Sequence, residues 1–351
     1  MEKFVIEIGI HPFKPTEGKF FILKTKQINL PDFVLPWVDR FYEPLEMDLL
    51  EILAGQPLDR EQILGRLKKK ENFQEDINLD QFLKRAWKRG VVKHFDDQRM
   101  EPEDFHKRYE YWALFEGWKD LPGEIKDKLN EWELIQYIAS HEQKAEELKN
   151  GGQRDSGYIY PEYLLLNEVT ALFNKIPRFY LWPCNCRAMI GSCQQSEFTC
   201  IRFSNDREIG WEISREKALD IVKEANKKGL MQSAELGLDK TGRIIGALCN
   251  CCSDCCFPHQ LSHQLRVEKF WPISRYVAQG PTEDCIKCGK CVQRCPFSII
   301  SQEKNLKTKK SLTPVIDVEQ CRGCGVCATG CPRDAIKLVQ IKESLFEKEF
   351  R

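Results

Sequence analysis

The first 183 of 351 residues contain no cysteine, and all 17 cysteines follow. A disulfide-stabilised extracellular protein would spread them more evenly, so reduced thiols and bound metal are expected, in a cytoplasmic and anaerobic setting. The chain has no run of about eighteen apolar residues, so no membrane-spanning helix is expected. The opening Met1-Glu-Lys-Phe-Val-Ile-Glu-Ile has acids inside its apolar stretch and no small-residue cleavage site, so no secretory signal is expected. Charge of either sign is not in excess: 53 Lys+Arg face 53 Asp+Glu, which argues against a globally basic nucleic-acid binder. There is no G-x-G-x-x-G fingerprint for a nicotinamide or flavin nucleotide, and no phosphate loop or nucleophile–base pairing.

What is present is concentrated at the end of the chain. Cys285-x-x-Cys288-x-x-Cys291-x-x-x-Cys295-Pro296 is followed by Cys321-x-x-Cys324-x-x-Cys327-x-x-x-Cys331-Pro332. A cubane iron–sulfur cluster needs four thiolates pointing inward. Three cysteines on one tight loop can wrap three irons, while the fourth thiolate approaches from elsewhere. Gly289, Gly323 and Gly325 permit turns that a Cβ would obstruct, and Pro296 and Pro332 fix the chain after each fourth cysteine. Zinc sites usually show paired C-x2-C units instead.

This tandem resembles the bacterial two-cluster ferredoxin family. The resemblance implies that the fourth cysteine of each run ligates the other cluster. One [4Fe–4S] cluster would then take Cys285, Cys288, Cys291 and Cys331, and the other Cys321, Cys324, Cys327 and Cys295.

Nine more cysteines lie between 184 and 256: Cys184, Cys186, Cys193 and Cys200, then Cys249, Cys251, Cys252, Cys255 and Cys256. Such density is unlike inert buried cysteine. Eight thiols would serve two further [4Fe–4S] clusters. Alternatively, four would hold one cluster, leaving the rest buried or catalytic. Zinc and an unusual cluster with more than four thiolates also stay open. A helix through 251–256 would set Cys251/Cys255 and Cys252/Cys256 on adjacent stripes. A capped helix is expected from Ser214 to Gly229, a strand at Phe179–Trp182 leading to Cys184, and another at Arg243–Leu248. His259 and His263 are secondary candidates as cluster ligands, given the abundance of thiols.

The C-x-C-R and C-N-C-C motifs ahead of a tandem ferredoxin run resemble a family of anaerobic multi-cluster iron–sulfur proteins described as 4Fe–4S dicluster-domain proteins. The likeness covers residues 183–340 well and 45–95 weakly. It implies electron transfer as a subunit or partner of a larger oxidoreductase assembly, and supplies no substrate.

The fold class expected is α+β, in five parts: N-terminal strands (1–43), a winged-helix-like module (44–100), a helical region and linker (101–157), a central cysteine-rich cluster-binding domain (158–270) and a two-cluster ferredoxin domain (271–351). In the second part, three apolar stripes precede a Val91–Phe95 strand. Lys84, Arg85, Lys88 and Arg89 lie on the third helix, opposite its stripe. In a DNA-binding, redox-sensing winged helix that face would enter the major groove; the neutral chain favours a solvated face on a protein-interaction module. The aromatics of 105–132 read as core or subunit contact. Residues 257–351 carry 16 Lys+Arg against 10 Asp+Glu. Two oxidised clusters at about −2 each would leave about +2, which fits docking on an acidic redox partner. A reductase with a catalytic cluster in 184–256 is the remaining alternative.

Overall fold

Capping residues and apolar stripes set the helices of the cysteine-free half. The computed structural model describes residues 28–344 except 95–98, 154, 156, 157 and 206. It divides into two compact units: residues up to Leu129 with Arg207–Ile209, and Asn130–Asp206 with Gly210 onward. The strands expected at 3–8 and 20–24 lie outside the described residues. Where the 1–43 segment is described, it is helical instead: a 3-10 turn at Asp32–Trp37 runs into α1 (Val38–Phe41).

In the first unit, α2 (Pro44–Leu53), α3 (Arg60–Leu67) and α4 (Leu79–Lys88) follow the expected stripes. Asp59 accepts from Gln62 N–H and Gln62 returns a bond to Asp59 N–H, a reciprocal cap. Phe82, Leu83 and Ala86 of α4 are buried. The expected Val91–Phe95 strand is reduced, in its described part, to a single bridge, Val92 to Pro102; a separate bridge joins Leu58 and Met100. Only Lys93 N–H to Glu101 O and Glu103 N–H to Val91 O extend the Val92 bridge. α5 (Phe105–Phe115) buries Phe105, Tyr109, Tyr111 and Trp112. α6 is the long helix Gly123–Lys149, and the division between units falls within it, ahead of the 150–157 loop.

Arg108 is fully buried in this unit. Its guanidinium grips Glu116 through two bonds of 2.9 and 2.6 Å and caps the carbonyls of Phe41 and Arg89. A buried cation persists only when its charge and every donor are answered.

The second unit is built on an antiparallel sheet of six strands: β1 (Pro161–Tyr163), β2 (Phe179–Pro183), β3 (Phe198–Arg202), β4 (Trp211–Ile213), β5 (Met231–Leu238) and β6 (Ile244–Cys251), in the order β1-β5-β6-β3-β2-β4. α7 (Leu166–Phe173) and α9 (Arg215–Lys227, capped by Ser214 Oγ) cover one face. Val169, Phe173, Ala218 and Val222 pack there on Ile201, Ala234 and Leu248. Side chains alternate along a strand, so Cys200, beside Ile201, and Cys249 and Cys251, beside Leu248, project to the opposite face. Register agrees: Met231 pairs with Cys251 and Ser233 with Cys249, while Ala234 pairs with Leu248.

Two short pairs complete the unit. β7 (Tyr276–Gln279) pairs with β10 (Lys337–Gln340), and β8 (Ile300–Ser301) with β9 (Val315–Ile316). α11 (Lys290–Arg294) and α12 (Val326–Thr329) lie between them in sequence. Arg275, fully buried, joins this part to the sheet by pairing with Glu162 of β1 and Glu168 of α7, the latter at 2.6 Å. Arg294 does the same from α11, donating to the Asn226 and Lys227 carbonyls at the end of α9.

Candidate metal centres

The eight cysteines of the tandem run surround two cavities. Cys295, Cys321, Cys324 and Cys327 line one, with Ile300, Ile316 and Phe297. Cys285, Cys288, Cys291 and Cys331 line the other, with Pro281, Pro314 and Ile336. In each, three cysteines come from one run and one from the other. Backbone curvature makes this possible. Gly323 has φ +65°, and a Cβ there would sit 2.0 Å from the Tyr276 carbonyl oxygen; Gly325, at φ +77°, opens α12.

These cavities suit an iron–sulfur cluster. Their soft donors are four sulfurs each, and backbone amides aim at several of them: Ala278 N–H at Cys321 Sγ (3.3 Å), Lys287 N–H at Cys285 Sγ (3.4 Å) and Ala335 N–H at Cys331 Sγ (3.3 Å). Such bonds favour thiolate. Burial works the other way. It raises the Cys324 thiol and pushes Cys327 up to about 12, so metal entering here must displace protons.

The central nine cysteines divide into six and three. Cys184 touches Cys186, Cys186 touches Cys256, Cys256 touches Cys251, Cys251 touches Cys249 and Cys249 touches Cys200. This row of six sulfurs lies on the sheet face away from α7 and α9. A hydrogen bond from Cys249 holds the Cys251 thiol down to about 6. Cys193, Cys252 and Cys255 form the second group, with all three Sγ within 4.8 Å of one another.

Residues 251–256 are not a helix. Cys251 ends β6, a turn follows, and Cys256 is the extended cap of α10 (Phe257–Leu265). Pro258, in the first turn, fits that start and cannot sit deep inside a helix. The turn therefore brings Cys252 and Cys255 together, with Cys255 N–H donating to Cys252 Sγ at 3.3 Å; the i,i+4 pairing that a helix would give does not occur.

Sequence reasoning gave no role to Arg187 or Tyr163. Arg187 follows Cys186 on α8 (Asn185–Ile190) and is 2% exposed. Its Nε donates to Cys193 Sγ (3.1 Å), Nη1 to Ser196 O and Thr199 Oγ1, and Nη2 to Asn250 O. An arginine beside a C-x-C pair was the available signal. Tyr163, a strand residue without a motif, gave none. It joins Met231, Cys251, Cys256, Cys324 and Val326 in one buried cluster. That cluster joins the six-sulfur row to the cavity lined by Cys324.

His259 is buried against Tyr163 and Phe297, with its ring nitrogens 3.3–3.4 Å from Tyr163 Oη. Burial, then Arg322, lowers its pKa to about 3. It lines neither ferredoxin cavity. His263 is 85% exposed and faces Glu268.

The basic face of α4 is already neutralised within its unit. Lys84 and Lys88 pair with Glu208 at 3.1 and 2.8 Å, Arg85 pairs with Glu43, and Arg89 with Glu43, Glu46 and Glu116. Among the described residues no helix is long and apolar enough to cross a membrane.

Comparison with known proteins adds one match. The family model of the 4Fe-4S dicluster domain matches residues 284–335. Searches of curated proteins and of solved structures found no match to the chain. The span matched contains all eight cysteines that line the two cavities, so the chain carries an iron–sulfur, ferredoxin-like 4Fe–4S dicluster domain at residues 284–335.

Proposed function

We propose that the protein relays single electrons through at least three iron–sulfur centres in a row. Cys285, Cys288, Cys291 and Cys331 would hold one [4Fe–4S] cluster, and Cys321, Cys324, Cys327 and Cys295 the second. The six-sulfur row of Cys184, Cys186, Cys200, Cys249, Cys251 and Cys256 would hold a third. The clusters supply one-electron chemistry; the chain sets their potentials through N–H···S bonds, burial and nearby charge. The observation that carries this reading is the shared buried cluster of Tyr163, Cys251, Cys256 and Cys324. It links the central sulfurs to the ferredoxin-like domain through packed protein.

The partner would be a redox protein with an acidic docking surface, within a larger anaerobic, cytoplasmic assembly. Lys304, Lys307, Lys309 and Lys310 stand exposed on the loop between β8 and β9, where opposite charge would speed encounter. The test is a redox titration of anaerobically prepared protein followed by EPR. Three paramagnetic reduced centres, with mutual magnetic coupling, are expected. A single centre, or zinc in place of iron at the tandem cysteines, would overturn the relay.

A further inference from the structure

The row of six sulfurs leaves three thiols unassigned, and these three are mutually close where the six are strung out in pairs. Cys193, Cys252 and Cys255 have their sulfurs within 4.8 Å of one another, and among the described residues no other group of cysteines, histidines or carboxylates gathers three ligand atoms so closely. Spacing separates two kinds of site. Sulfurs sharing one tetrahedral ion at about 2.3 Å stand roughly 3.8 Å apart. The terminal sulfurs of a cubane bind one to each iron, outside the cube, and stand wider. The ferredoxin-like quartets, which line open cavities, show no such close trio.

A second observation is independent of spacing. Arg187 is buried and donates Nε to Cys193 Sγ; its other hydrogen bonds go to carbonyls and a hydroxyl, and it also acts electrostatically on Cys184 of the six-sulfur row and on Cys252. Among the described residues no carboxylate pairs with it. A buried cation needs a nearby anion, and here the anions must be thiolates. Three thiolates, one divalent ion and one guanidinium sum to zero charge.

We propose that Cys193, Cys252 and Cys255 hold a single divalent ion of the zinc type, with Arg187 as counter-charge and the fourth position open. Cys252-Ser-Asp-Cys255 forms the turn that presents two ligands, and the Cys255 amide steadies the Cys252 sulfur. Cys193 arrives from the segment after α8. The rim is exposed: Ser192 is solvent-facing, with Oγ 3.0 Å from Cys255 Sγ, and Cys193 is half-buried. Three protein ligands and an accessible fourth position make the pattern of a reactive zinc site, whereas structural sites close all four. Water or an exogenous thiol would complete it. This assignment does not depend on the relay.

The test is metal analysis of anaerobically purified full-length protein beside its C193S and C255S variants. The expected result is about one zinc per chain in the parent. The variants should lose that ion while iron stays unchanged. Cobalt-substituted parent protein should show the intense absorption of a tetrahedral thiolate site, shifting when a small thiol is added. This reading needs no variant to fold. A C288S control should lose iron and keep the divalent ion. Three results would overturn the proposal: loss of about four irons from C193S, a Cys252–Cys255 disulfide in the metal-free protein, or no divalent ion with silent cobalt spectra. None of these would count against the two ferredoxin-like clusters.

Discussion

The ferredoxin-like domain and the central sheet both gather cysteines, by opposite means. In residues 284–335, tight loops turned by Gly289, Gly323 and Gly325 hold sulfurs around a cavity. Ligand spacing along the chain is the geometry itself. In the central sheet, Cys200 and Cys249 are almost fifty residues apart and meet because β3 pairs with β6. Strand register makes that site, and a one-residue slip would turn Cys249 and Cys251 into the helix-covered core. Loop-built sites should therefore fail one cluster at a time. The sheet-built site should fail together with the fold around it.

The largest expected effect breaks the loop-built side. C295S and C331S should each remove about four irons per chain, from different clusters. Pairing separates them. C295S/C321S should lose no more iron than either single variant, whereas C295S/C288S should lose both clusters. The reverse order, with C295S/C321S losing both clusters and C295S/C288S only one, would refute crossed ligation.

Next is a contrast with the cysteine-free unit. R108A removes the two-bond partner of buried Glu116, leaving it only the shared Arg89 at 3.2 Å, and should cost about 3 kcal/mol by denaturant unfolding. Iron content should not change. Iron lost in proportion to stability would show that the two units do not fail separately.

A smaller effect concerns the joint beside Tyr163. Folded His259 stays neutral down to about pH 3, while the unfolded ring protonates near its usual 6.5. The unfolded state thus binds the extra proton between these values. The contribution of neutral His259 is fully present above about pH 6.5 and is lost as pH falls toward 3. About 2 kcal/mol should be gone by pH 5, and H259Q should flatten that loss in denaturation midpoints measured at pH 7.5 and 5. An unchanged slope in H259Q would contradict it. The smallest effect is none at all: with α4's cations paired to Glu43, Glu46, Glu116 and Glu208, low-salt gel shifts should show no DNA retention in either redox state.

The same contrast explains what could be read from sequence. The grouping of Cys285, Cys288 and Cys291, and of Cys321, Cys324 and Cys327, was legible because one loop carries each triplet. The α9 helix, with its Ser214 cap and Gly229 stop, was legible because caps are local. The Cys252–Cys255 turn was not legible because four cysteines carry no periodic apolar signal and the next helix starts only at Phe257, beyond them. The pairing of Cys200 with Cys249, and Tyr163's place between centres, depended on register. Lys84 and Lys88 looked free in sequence because Glu208 lies 120 residues or more downstream. The strands expected at 3–8 and 20–24 lie on residues outside those described.

Iron and acid-labile sulfide counted on one anaerobically purified sample test the central claim most directly. Two ferredoxin-like clusters and a third on the six-sulfur row predict about twelve of each per chain. About four irons or fewer would contradict the relay.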